Sequence, residues 1–259
     1  MSLVADGTCG ACLAGRVTQC SGRALFGYSG VYPRLDGAQA EFVRVPHADT
    51  VLSPLPGSVS DDAAVFLADN LPTAYDGVVR GEVKRGDVVC VVGLGAVGLM
   101  AVMVGLDVGA TVFAVDGVEQ RRELAAGLGA RVFEPGEAGG AVAEATDGLG
   151  ADVVVEAAGT PGALSAALQL ARGRGVVSVV GAHFEPDYPL NNGLMFEREL
   201  TLRFSIGDSL AHRKRLIAMI SEGRLDPAAV VTHRMALDDA VEAYRLFDSR
   251  EATKVVMTP

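Results

Sequence analysis

The sequence predicts an α/β protein built on a doubly wound parallel sheet, and three observations lead there. Short, almost wholly apolar runs recur: VVCVV from Val88, VVVEA from Val153 and VVSVV from Val176. Runs of that length and β-branched character suit strands covered on both faces, where no polar alternation is needed. Helix-compatible stretches separate them, so strand and helix alternate as in repeated strand–helix–strand units. The composition agrees: 49% of the 259 residues are apolar, Gly numbers 32 and Trp is absent, as expected for Val- and Ala-rich strands joined by tight turns.

Taken in order, residues 7–57 are rich in Gly, Pro and polar side chains, with one expected strand at Ala40 to Val45. From Asp61 to Val79 an apolar pattern fits a helix that Pro72 kinks or restarts. After the turn at Lys84 to Asp87 the alternation begins. Strands are expected at Val88 to Val92, Thr111 to Val115, Arg131 to Phe133, Asp152 to Glu156, Val176 to Val180 and Thr201 to Ile206. Helices are expected at Ala96 to Leu106, Glu119 to Leu128 and Pro161 to Ala171. Two more helices, Leu210 to Glu222 and Leu237 to Phe247, precede a last strand at Lys254 to Met257.

Charge and hydropathy exclude some classes of function. The net charge of −10 argues against a nucleic-acid partner, because phosphate binding relies on clustered Lys and Arg. No apolar run reaches the length of a membrane span, and Met1 to Leu3 opens no signal peptide. A cytoplasmic protein is expected.

The segment from Val88 to Gly98 reads V-V-C-V-V-G-L-G-A-V-G, which puts G-x-G-x-x-G after a strand and at the start of a helix. Gly93 permits the tight turn, Gly95 lets the backbone approach a pyrophosphate, and Gly98 allows close helix–strand packing. The helix N-terminus offers N–H groups and a positive dipole end to the phosphates. The next strand, TVFAVD, ends in Asp116, eighteen residues beyond Gly98. A carboxylate there accepts hydrogen bonds from the adenosine ribose and repels a 2′-phosphate, which favours NAD over NADP. The expected centre is therefore a Rossmann domain binding NAD(H). An ordinary Gly-rich turn with Asp116 capping a helix is the plainer alternative.

Three of the four cysteines form Cys9-x2-Cys12-x7-Cys20. In a cytoplasmic chain such crowding suggests a metal before disulfides, and a structural zinc takes four ligands. Asp6, three residues before Cys9, is the candidate fourth ligand. Unliganded loop thiols are the alternative. Cys90, alone in an apolar strand, reads as a small buried hydrophobe.

Four stretches resemble the zinc-containing medium-chain dehydrogenase/reductase family over almost the whole chain. They are DGTCGACLAGRVTQC, DGAQAEFVRVPHADT, LADNLPTAYDG with VKRGDVVCVVGLGAVGL, and HRMALDDAVEAYRLFDSREATKVVMTP. The third and fourth are similar to the formaldehyde-dehydrogenase-like branch of the alcohol dehydrogenases. The resemblance implies Asp69 as a catalytic-zinc ligand, with an exposed helix residue as the alternative. It further implies Thr73 against the nicotinamide, Val97 in its pocket, Arg121 beside the adenosine ribose and Lys254 reaching the pyrophosphate. Thr73 could instead cap a restarted helix, and Lys254 could be an edge-strand charge.

The same resemblance implies the organisation. Residues 1–74 would be part of a GroES-like β catalytic domain carrying the zinc lobe, and residues 75–205 the Rossmann domain. Residues 206–259 would be the return to the catalytic domain. The strand TLRFSI would pair between subunits in a homodimer or homotetramer. The expected activity is hydride transfer between a small alcohol or aldehyde and NAD(H), aided by zinc. In the family, a Cys and a His-Glu pair upstream of the lobe complete the catalytic zinc site. No G-H-E motif occurs here, and the four His, at 47, 183, 212 and 233, lack a spacing that replaces it. An upstream segment in the complete polypeptide is expected, with a naturally truncated, inactive product as the alternative, and the chain by itself is expected to be inactive. Two alternatives stand beside this: a zinc-free quinone- or enoyl-type reductase using NAD(P)H, and a non-catalytic NAD(H)-binding module.

Overall fold

The computed structural model describes residues 3–28, 30 and 34–259, so Met1 and Ser2, on which the signal-peptide expectation fell, lie outside it. Two compact units emerge: Thr73–Ile206, and Met1–Pro72 with Gly207–Pro259.

In the split unit, β1 (Leu3–Val4) leads through α1 (Gly10–Leu13) to β2 (Ala24–Leu25), and the two strands pair antiparallel. The strand expected at Ala40 to Val45 does not form. That segment carries no regular structure, and the Phe42 side chain is 90% exposed. An extended stretch becomes a strand only when a neighbour takes its N–H and C=O groups, and none does so among the described residues. Next come α2 (Ala48–Val51) and α3 (Asp61–Ala64), the latter capped by Ser60, whose hydroxyl accepts from the Ala63 N–H. A 3-10 turn at Val65–Ala68 follows, then α4 (Asn70–Arg80). The expected long helix is thus broken, and the break sits at Asp69 (φ −157°, ψ −63°) rather than at Pro72. Pro72 is the third residue of α4, in the first turn, where its missing N–H leaves no helical hydrogen bond unmade.

The continuous unit holds a six-stranded parallel sheet. Its strands are β3 (Val88–Val92), β4 (Thr111–Val115), β5 (Arg131–Phe133), β6 (Ala151–Glu156), β7 (Ala171–Val179) and β8 (Thr201–Phe204). They are ordered β5-β4-β3-β6-β7-β8, so the winding reverses between β3 and β6. The crossovers run through α5 (Ala96–Val108), α6 (Glu119–Gly127), α7 (Ala138–Ala145), α8 (Pro161–Leu170) and α9 (Asn192–Glu197). The apolar runs follow from burial on both faces. Cys90, Val92, Val154, Val177 and Val179 join a core with Val142 of α7 and Leu164 and Leu168 of α8. Val153, Val155 and Val180 turn the other way, close against Gly77 and Gly81 at the end of α4. α5 ends on Gly109, in the left-handed region at φ 91°, and the neighbouring N–H groups close the last turn onto Gly105 and Leu106. The helix α7, with two consecutive glycines, was not anticipated. Packing of Ala138 and Val142 outweighs its weak helical propensity.

The split unit resumes with α10 (Ser209–Ser221), β9 (His233–Ala236), α11 (Ala240–Asp248) and β10 (Val255–Thr258), with β9 and β10 parallel. Among the described residues no helix is long and apolar enough to cross a membrane.

Candidate functional site

The carboxyl end of β3 is where close packing is most demanding. Gly93 takes φ 93°, and a Cβ there would lie 2.7 Å from the Ala158 backbone nitrogen. A Cβ on Gly98 would come within 1.8 Å of the Gly93 carbonyl oxygen, so the first turn of α5 rests directly on the turn that precedes it. Gly95 differs: its φ is −66° and a Cβ there would meet nothing within 4 Å. Space in front of Gly95 is what a bound pyrophosphate would need. Gly95 also stands at the N-cap of α5 without a side-chain cap, so no side chain competes for the first N–H groups of the helix.

Asp116 continues from β4 beside this turn. One carboxylate oxygen accepts from the Leu94 N–H at 2.7 Å and the other from the Val118 N–H at 2.8 Å. Arg121 Nη1 stands 3.8 Å from the same carboxylate, and its buried Nε has no hydrogen-bond partner. Val97 is half-buried in the first turn of α5. Thr73, buried in α4, directs its hydroxyl to the Ile206 carbonyl at 3.5 Å. Gly93, Gly95, Val97, Gly98, Asp116 and Arg121 therefore form one neighbourhood at the carboxyl edge of the sheet, beside the point where the winding reverses. Ligands of open α/β sheets settle at such a crevice.

In the split unit, Asp6, Cys9, Cys12 and Cys20 converge, with one ligand atom of each within 4.8 Å of every other. Tetrahedral zinc with thiolates at about 2.3 Å spaces its sulfurs about 3.8 Å apart, so the set fits that ion. The local fold explains the convergence. One Asp6 oxygen accepts from the Thr8 and Cys9 N–H groups, folding the turn that delivers Cys9 to the start of α1. These bonds, the Cys9 one foremost, hold the Asp6 carboxyl well below the usual range. Backbone hydrogen bonds from Cys12 and Ser21 bring Cys9 down to about 6, whereas burial pushes Cys12 up to about 12. Three thiolates and a carboxylate so close repel one another, and a divalent cation is what lets all four ionise together.

Asp69 sits at the break before α4. Lys254 lies in the same unit, its Nζ donating to Asn70 Oδ1 at 3.3 Å and standing 5.5 Å from the centre of the Phe66 ring. Burial lowers the Lys254 pKa while the Asp69 carboxylate acts in the opposite sense. Gly93, Gly95, Val97, Gly98, Asp116 and Arg121 thus lie together in the continuous unit and Asp6, Cys9, Cys12 and Cys20 in the split one, whereas Lys254, expected with the nucleotide residues, lies in the split unit with Asp69. One group was not singled out from sequence. Glu156, at the end of β6, is fully buried and hydrogen-bonds both its own loop and His183. An acid closing an otherwise apolar strand run was the available signal.

Comparison with known proteins agrees with this architecture. A family model described as zinc-binding dehydrogenase matches residues 96–222. The zinc-type alcohol dehydrogenase-like protein YphC of Escherichia coli K12 is 32% identical over 97% of this chain and 70% of its own length. The chain belongs to the zinc-binding dehydrogenase family. Another member, the probable zinc-binding alcohol dehydrogenase Rv1895 of Mycobacterium tuberculosis, is 36% identical over 98% of this chain. The alcohol dehydrogenase TADH from Thermus sp. ATN1 superposes with a TM-score of 0.95 at 36% identity, covering 99% of this chain and 77% of that one. This family member spans 64–65% of the length of the first curated relatives it matches.

Proposed function

We propose that this chain serves an NAD(H)- and zinc-dependent alcohol dehydrogenase, transferring a hydride between a small alcohol or aldehyde and the nicotinamide. The observation that carries it is the open space before Gly95 at an uncapped helix N-terminus, with Asp116 beside it. Gly93 and Gly98 hold the backbone where a pyrophosphate could reach the α5 N–H groups. The Asp116 carboxylate would accept from the ribose hydroxyls and exclude a 2′-phosphate. Arg121 would flank the adenosine ribose, Val97 and Thr73 the nicotinamide, and Lys254 the pyrophosphate.

Asp6, Cys9, Cys12 and Cys20 would hold a structural zinc, and Asp69 would supply one ligand to a catalytic zinc. Bound in these places, the nicotinamide supplies the hydride acceptor and the catalytic metal polarises the substrate oxygen. A catalytic zinc takes three protein ligands, and a G-H-E motif for the other two does not occur in these 259 residues. The similarity of LADNLPTAYDG to the formaldehyde-dehydrogenase-like branch supports an aldehyde at that oxidation level among the substrates. We also propose a homo-oligomer paired through β8, the edge strand of its sheet, which ends on Phe204, 59% exposed, and is followed by Ile206, 65% exposed.

The test is parallel titration with NADH and NADPH, together with metal analysis of the purified chain. NADH binding tighter than NADPH, with zinc bound, is the expected result. A preference for NADPH with no zinc would replace this function by a quinone- or enoyl-type reductase. Tight NADH binding with one zinc and no alcohol turnover in a polypeptide that does carry an upstream Cys and His-Glu pair would favour a binding module.

A further inference from the structure

The end of β6 buries a carboxyl group that the nucleotide cradle does not use. Glu156 is 0% exposed. Its Oε1 accepts from the N–H groups of Ala158 at 2.9 Å and Gly159 at 2.8 Å, and its Oε2 stands 3.1 Å from His183 Nε2. A carboxylate out of water needs such donors. Toward an ionised carboxylate, which only accepts, Nε2 would be the donor. The other ring nitrogen, Nδ1, faces Glu185 Oε2 at 3.6 Å. The imidazole is therefore held through Nε2, in the loop that follows β7.

That single contact ties together two loops that already touch through backbone. A Cβ on Gly159 would lie 2.7 Å from the Ala182 carbonyl oxygen, and one on Gly181 would lie 2.3 Å from the Gly159 nitrogen. Gly93, in turn, abuts Ala158. The loops after β3, β6 and β7 thus form one shelf at the carboxyl ends of adjacent strands, with Val92, Glu156 and Val179 level in register. Gly95 and Asp116 stand on the β3–β4 side of the winding reversal. A dinucleotide whose adenosine half lies there extends its other half over β6 and β7.

We propose that the Glu156–His183 pair is a brace that positions the loops after β6 and β7 to receive the nicotinamide half of the dinucleotide. His183 is a positioning residue, acting through the backbone it holds. The proposal rests on the NAD(H) site described above. Without the imidazole, the buried Glu156 carboxylate loses one of its three donors and the loop from Gly181 to Glu185 loses its tether. The β3–β4 side, which would take ADP-ribose, contains neither residue.

Calorimetric titration of the whole chain with NADH and with ADP-ribose separates these halves. His183→Ala and His183→Phe, the second filling the volume without a donor, are each expected to weaken NADH roughly tenfold. ADP-ribose affinity stays within about twofold of the original, since its contacts are untouched. His183→Gln, which keeps an N–H donor within reach of Glu156, is expected to recover most of the NADH affinity. Equal loss for both ligands, or no loss for either, overturns the brace while leaving the nucleotide site standing. Failure of the unaltered chain to bind either ligand overturns the site itself, and the brace with it.

Discussion

Gly95 and Gly98 lie three residues apart in one turn, and the same substitution should have opposite consequences at the two. In Gly98→Ala the new methyl falls 1.8 Å from the Gly93 carbonyl oxygen, more than an ångström inside contact, and the opposing atom is backbone. The turn between β3 and α5 must move, which costs about 3 kcal/mol or more by analogy with overpacked cores. For a protein of this size that lowers Tm by roughly 6–12 °C. In Gly95→Ala the methyl meets nothing within 4 Å and the φ of −66° suits any residue. Stability should hold or rise by about 0.4–1 kcal/mol, because the unfolded chain loses freedom. The methyl instead occupies the space a pyrophosphate needs, so NADH affinity should fall at least roughly tenfold. Differential scanning calorimetry and NADH fluorescence titration on both variants give the two readouts. If Gly95→Ala melts early, or binds NADH as well as the parent, the assignment of that space to the pyrophosphate is refuted.

The other expected outcomes concern separate features. Asp116→Asn removes the charge that opposes a 2′-phosphate while Arg121 remains 3.8 Å away, so the NADPH-to-NADH affinity ratio should rise roughly tenfold or more in parallel titrations. An unchanged ratio would remove Asp116 from cofactor selection. Cys12→Ser should lower bound zinc per chain measured by mass-spectrometric metal analysis, whereas Asp6→Cys should retain it, since four thiolates make the more usual structural site. Undiminished zinc in Cys12→Ser would place the ion elsewhere. Cys90 is fully buried and its thiol is pushed up to about 12, so a thiol reagent on the metal-free protein at neutral pH should spare it and label Cys9, brought down to about 6, first. Labelling of all four at one rate would mean that β3 is accessible to solvent. Phe204→Lys should reduce the molar mass by light scattering if β8 edges pair between subunits, and an unchanged mass would exclude that edge.

The parallel sheet and the turn that joins β3 to α5 were legible in the sequence because their signals are local. Strands buried on both faces read as nearly unbroken apolar runs, and β3 and β4 have the bounds those runs gave them. Gly93, Gly95, Gly98 and Asp116 announce a strand–turn–helix–strand unit whose geometry is set within about thirty residues. The cysteine lobe is equally local, and spacing alone makes Asp6 the fourth member of the set whose ligand atoms converge. What needed tertiary structure were features decided by a distant neighbour. The alternation in Ala40 to Val45 does not say whether another chain segment accepts its hydrogen bonds, and there Phe42 ends up in solvent. The Gly-rich stretch of α7 has poor intrinsic propensity and becomes helical because Ala138 and Val142 have a core to enter. Glu156 is read from sequence only as an acid ending a strand. That its carboxylate is buried and tied to His183, 27 residues later, follows from two parallel strands standing side by side, a contact that no local pattern encodes.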